Sequence, residues 1–146
     1  MVRDLPFRFT LTARAENYLV GRPDLNDTIT RLQAFQAAGA DVLYAPGLTS
    51  KDDIAAVVRS VDCPVNVVMG LQGVQLSLAI LSAIGVKRIS VGSALARAAL
   101  GAFLRAAREM RQCGTFEFAD EAVSYRDFTA MFETMTSAHG RRQCAE

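Results

Sequence analysis

The chain has 146 residues, 51% of them apolar and 21% charged, with a net charge of +1 at neutral pH. That length makes one domain with a real core, and the near-zero charge leaves no electrostatic footprint for nucleic acid or a membrane surface. The longest apolar run, Ala94 to Leu104, is broken by Arg97 and is too short for a bilayer, and the opening MVRDLPFRFT lacks a signal peptide's apolar region, so a cytoplasmic protein is expected.

In chain order, one unit recurs four times: a short apolar strand, a loop, an amphipathic helix, and a glycine or proline before the next strand. The first strand is expected from Phe7 to Ala15. Phe7, Phe9, Leu11 and Ala13 alternate there with Thr10, Thr12, Arg14 and Glu16, one face greasy and one polar. Its helix starts at an Asp24 cap with Asp27 three residues on, carries Leu25, Ile29, Leu32 and Phe35 at helical spacing, and ends at Gly39. DVLYAPG, Asp41 to Gly47, is the second strand. A Ser50-capped helix follows, with Ile54, Val57, Val58 and Val61 inward. PVNVVMG, Pro64 to Gly70, is the third strand, with a helix over Val74 to Ile84. KRISVGS, Lys87 to Ser93, is the fourth, leading into a long helix to about Gln112. A last helix begins at Ser124, with Asp127 at its third position and Phe128, Met131 and Phe132 on one side.

Strict alternation implies parallel strands joined by right-handed crossovers. Two architectures fit: a small doubly wound sheet with helices on both faces, or four βα units of an eight-stranded barrel. The polar face of the first strand favours the barrel, because Thr10, Thr12 and Arg14 sit badly beneath a helix but well inside a barrel near its mouth. The axis-facing side of the later strands is expected to carry Val, Ile and Met. A division into a unit of βα repeats, 1–114, and a C-terminal helical extension and tail, 115–146, follows.

Cys63, Cys113 and Cys144 form no CxxC pair and have no histidine at metal-ligand spacing, so reduced thiols are expected. His139 lies in the polar tail SAHGRRQCAE. Asp52 and Asp53 fall in a first helical turn, where carboxylates suit the helix dipole. There is no GxGxxG, Walker, GxSxG or HExxH sequence.

Ligands of parallel α/β folds bind at the carboxyl ends of strands, where Arg14, Glu16, Pro46, Gly47, Gly70 and Gly92 lie. Arg14 is suited to fork two hydrogen bonds to a carboxylate, and equally suited to pair with Glu16 on one strand face. Gly92 and Ser93 open a helix whose N-terminal N–H groups attract an anion, or serve as an ordinary cap. Arg97 lies four residues into that helix.

TLTARAENYLVGRPDLNDTITRLQAFQAAGADVLYAPGL, CPVNVVMG and GVKRISVGSALARAALGAF together resemble the isocitrate lyase and phosphoenolpyruvate mutase superfamily, closest to its 2-methylisocitrate lyase-like and oxaloacetate decarboxylase-like members, from about Leu5 to Phe132. The resemblance implies the fifth to eighth strands of a TIM barrel with C-terminal helices. It also implies a carbon–carbon lyase or decarboxylase acting on small α-oxo or α-hydroxy carboxylates through a metal-stabilised pyruvate enolate. By position, Arg14 is similar to the family's substrate-carboxylate arginine, Arg97 to an arginine lyase members use near the substrate, and Glu16 to the acidic residue following the first. The family's glutamate after the sixth strand and asparagine after the seventh are missing from YAPGL and NVVMG. Magnesium is implied as cofactor, but its aspartates belong to the family's first barrel half, so its ligands are expected to be absent from this chain and the chain to be incomplete alone. A homo-oligomer is expected, held by C-terminal helices, which exchange between subunits in the resembled family. A noncatalytic anion-binding or assembly module of doubly wound form is the alternative.

Overall fold

A computed structural model describes the backbone of residues 4–140 and side chains through Phe132; His139 and Cys144 lie outside the described side chains. The elements run β1 (Thr12–Arg14), α1 (Leu25–Ala37), β2 (Val42–Tyr44), α2 (Lys51–Arg59), β3 (Val65–Val68), α3 (Leu78–Ala83), β4 (Arg88–Ser90), α4 (Ala94–Gln112), a 3-10 turn (Glu117–Glu121) and α5 (Tyr125–Gly140). The chain divides into two compact units, one up to Ala96 and the other from Arg97. No helix among the described residues is long and apolar enough to cross a membrane.

The first unit holds a four-stranded parallel sheet in the order β1-β2-β3-β4. Strand order follows chain order without reversal, which rules out the doubly wound arrangement, whose sheet reverses at a switch point. The register pairs Ala13 with Leu43, Leu43 with Val65, and Val67 with Ile89. With a side-chain period of two, these residues share the face that packs on the helices. Leu43, Val65 and Val67 are buried there with Leu32 of α1, Ile54 and Val57 of α2 and Leu81 of α3.

The opposite face carries Arg14, Tyr44, Asn66 and Arg88 in one register row, with Thr12, Val42, Val68 and Ser90 beside them. The expectation of an apolar axis-facing side is therefore wrong. Val65, Val67 and Ile89 alternate onto the helix side, and the residues between them put Asn66, Arg88 and Ser90, together with Val68, on the other.

The first strand is shorter than the pattern suggests. Phe7 and Phe9 are 61% and 48% exposed, because ladder pairing to β2 begins only at Leu11. There the Asp41 carboxylate accepts from Leu11 N at 2.8 Å, while Leu11 O accepts from Asp41 N and Val42 N. The third helix starts at Leu78 rather than Val74, where the Ser77 hydroxyl accepts from Ile80 N.

The remaining caps fall where the sequence puts them. Asp24 accepts from Asp27 N, Ser50 from Asp53 N, and Ser124 from Asp127 N. Each satisfies an amide that has no partner within its helix.

In the second unit α4 has no fully buried residue, and Leu100, Phe103 and Leu104 are exposed. Glu109 of α4 holds the following segment by accepting from Thr115 Oγ1 and from the amides of Glu117 and Phe118. A groove of about 520 Å³ runs between α4 and the 3-10 turn, lined by Phe103, Arg105, Glu109, Phe118 and Glu121 among others. On α5, Phe128 and Phe132 meet edge to face at 5.0 Å.

Candidate functional site at the strand ends

Arg14 is the last residue of β1 and points from the polar face. Its Nε donates to Glu16 Oε1 at 2.7 Å, and both side chains are about half exposed. Pairing and substrate binding, left open by the sequence, are compatible: the ion pair uses the Nε edge, and the two terminal nitrogens have no protein partner among the described residues. The Tyr44 ring lies beneath the guanidinium, 4.9 Å from Cζ to its centroid. That is within cation–π range.

Below Arg14 the loop is firmly seated. Asn17 is buried and donates to Asp27, which also accepts from Arg31 Nε at 2.7 Å. The Arg31 hydrogen bond, with its charge and the Asn17 amide, holds the Asp27 carboxyl below its ordinary range. Burial pushes the Tyr18 phenol up, helped by the carboxylates of Asp53 and Asp24. Gly47, at φ +95°, lets the loop after β2 close on Tyr18: a Cβ there would stand 2.7 Å from Tyr18 Cβ.

Further along the sheet, Asn66 is 1% exposed and spans two strands. Its Oδ1 accepts from Arg88 Nη1 at 3.2 Å, and its Nδ2 donates to Ser90 Oγ at 3.1 Å. Sequence reading singled out none of Tyr44, Asn66 and Arg88. The signal was present as parity, since each sits in phase with Arg14 once the strands are paired in parallel.

Gly92 and Ser93 are exposed in the turn between β4 and α4, where Gly92 has φ +50° and Ala94 N donates to Val91 O. Gly70 comes close to this turn: its added Cβ would stand 2.7 Å from Ala94 Cβ. The structure thus brings Arg14 and Glu16 together. Arg97 is exposed on α4 and belongs to the second unit. Among the described residues no group of three or more His, Cys, Asp or Glu side chains is placed to hold a metal.

Residues 1–111 match the family model described as phosphoenolpyruvate phosphomutase. The chain belongs to that family. The phosphoenolpyruvate mutase family accounts for the four parallel strands and their TIM-barrel-like order. A provisionally assigned lyase/mutase from Burkholderia cenocepacia J2315 is 68% identical, with a TM-score of 0.86 over 90% of this chain and 48% of its own. Phosphonopyruvate hydrolase, solved with oxalate and magnesium, is 26% identical with a TM-score of 0.66 over 91% of this chain and 49% of its own. An uncharacterized protein of Mycobacterium tuberculosis is 36% identical over 99 residues, 67% of this chain and 37% of the relative. The chain thus spans about half the length of the solved relatives it matches and less of the mycobacterial one. A magnesium ion like the hydrolase's finds no fitting ligand set among the described residues. What this chain's own residues offer at the strand ends is Arg14, paired through Nε with Glu16.

Proposed function

We propose that this chain supplies the carboxylate-binding side of a carbon–carbon lyase or decarboxylase acting on small α-oxo or α-hydroxy carboxylates, in the cytoplasm. The observation that carries the reading is Arg14, held at a strand end of a phosphoenolpyruvate mutase-type sheet with both terminal nitrogens open. A planar guanidinium in that state matches the two oxygens of a carboxylate. Glu16 fixes its Nε edge, and Gly92 and Ser93 offer backbone N–H groups to a second anionic group. The enolate chemistry of the family requires a metal, whose ligands in this reading lie outside the described residues, so turnover by this chain alone is not expected. Exposed apolar residues on α4 and α5, among them Phe103, Phe128 and Met131, support a homo-oligomer built on these helices.

Calorimetric titration with oxalate tests the central claim. Binding by the wild-type chain that disappears in Arg14→Ala, with unchanged thermal stability, is the expected result. Equal binding by both proteins, or none by either, overturns the assignment.

A further inference from the structure

Arg14 emerges between two unlike neighbours. Glu16 Oε1 takes its Nε at 2.7 Å, and the Tyr44 ring lies 4.9 Å from Cζ. The second contact is built into the sheet, because Arg14 and Tyr44 are register partners on β1 and β2 and so stand on the same face. Directly opposed residues of one face stand close enough for long side chains to interact throughout.

An unsupported arginine samples many rotamers, and a ligand that recruits it must first order it. Here the ordering is done beforehand. Glu16 holds the guanidinium along one edge and the Tyr44 ring lies 4.9 Å from Cζ, while the terminal nitrogens have no protein partner among the described residues. The Glu16 carboxylate engages the Nε edge, away from the terminal fork. Pairing with Glu16 alone leaves the guanidinium free to rotate about the hydrogen bond, a freedom that packing against a ring face restricts.

We infer that Tyr44 is a positioning residue that presents the Arg14 guanidinium in a fixed plane to a carboxylate. Its ligand side rests on the carboxylate reading of Arg14; the positioning itself does not. Only the ring face acts on the guanidinium, so phenylalanine serves in its place and leucine, which fills similar space without a π-face, does not.

The test is nitrogen-15 NMR of the arginine Nε–H groups in the full chain, with Arg14→Lys identifying the Arg14 signal by its loss. In the wild type and in Tyr44→Phe that signal should stand apart from the exposed arginines. In Tyr44→Leu it should merge with them, and oxalate affinity should fall about two- to fivefold, the worth of an exposed cation–π contact. The amide spectrum of each variant establishes that the sheet is intact, and Tyr44→Phe supplies the folded comparison. An Arg14 signal unchanged in Tyr44→Leu, or lost equally in Tyr44→Phe, overturns the inference. A signal released by leucine but indifferent to oxalate in the wild type sustains the positioning role and sinks the carboxylate reading.

Discussion

Gly70 offers the sharpest test of how the strand ends are packed. It adopts φ +80°, and a Cβ added there would stand 2.7 Å from Ala94 Cβ, far inside van der Waals contact. Gly73 serves as the control, with φ +77° and nothing within 4 Å of its added Cβ. Gly73→Ala should therefore cost only the left-handed backbone penalty, about 1–2 kcal/mol. Gly70→Ala should cost that and the overlap with Ala94, a further 1–3 kcal/mol or about 2–5 kcal/mol in all. The reduced freedom of the unfolded chain is common to both substitutions and cancels in the comparison. Ala94→Gly removes the obstructing methyl and by itself should cost no more than about 1 kcal/mol, the helix penalty of glycine. The double variant should then recover the overlap, giving a coupling of about 1–3 kcal/mol measured by urea unfolding of all four proteins. Equal destabilisation by Gly70→Ala and Gly73→Ala, or strict additivity in the double variant, would refute the close approach of the segment after β3 to the start of α4.

Asn66→Ala strips hydrogen bonds from Ser90 and Arg88 beneath the polar face and should destabilise the chain by about 1–3 kcal/mol in denaturant unfolding; a neutral outcome would deny Asn66 its bridging role. The Glu109 carboxyl is held below its ordinary range by the Thr115 hydroxyl and then by the amides of Glu117 and Phe118. Because the folded value is depressed, its support is complete above the unfolded value and is lost as pH falls through the folded one. Hydrogen exchange at Glu117 and Phe118 should accelerate on that acid limb in the wild type and show no such step in Glu109→Gln; matching profiles would contradict this. Titration with magnesium should give no stoichiometric micromolar binding, and 2-methylisocitrate and oxaloacetate should not be turned over by the chain alone; turnover abolished by Arg14→Ala would show a complete site. Light scattering should find an oligomer, and a monodisperse monomer at micromolar concentration would remove the assembly proposal.

Much of the fold was readable because the helix signals are local. Asp24, Ser50 and Ser124 each cap through an amide three residues on, and the apolar spacing of Leu32, Ile54 and Val57 points to the face that is buried. The strands were harder, because which faces match depends on pairing between segments some twenty to thirty residues apart. Phe7 and Phe9 continue the alternation of the first strand, yet the ladder that would make them strand residues starts only at Leu11. The same non-local pairing hid the row of Tyr44, Asn66 and Arg88. Within VNVV a lone asparagine looks like an interruption, and only its register with Tyr44 and Arg88 makes it a bridge. Arg14 and Glu16 were legible as a pair because both lie on one short strand end, whereas the aromatic support under the guanidinium comes from the neighbouring strand.

The Asp41 carboxylate that accepts from Leu11 N belongs to this same question. Three-residue strands share so few ladder bonds that sliding one past another by a single step would sacrifice little, yet such a step turns every side chain to the opposite face. For β1 that slip would drive the Arg14 charge toward Leu43 and the helices and bring Ala13 out in its place. A side-chain acceptor fixed at the entrance of β2 recognises only one phase of the incoming chain, since the Leu11 amide must meet it as Leu11 O receives Asp41 N and Val42 N. Asp41 lies near the opposite end of the strand from the guanidinium, and it acts as the indexing mark that decides on which side of the sheet Arg14 appears.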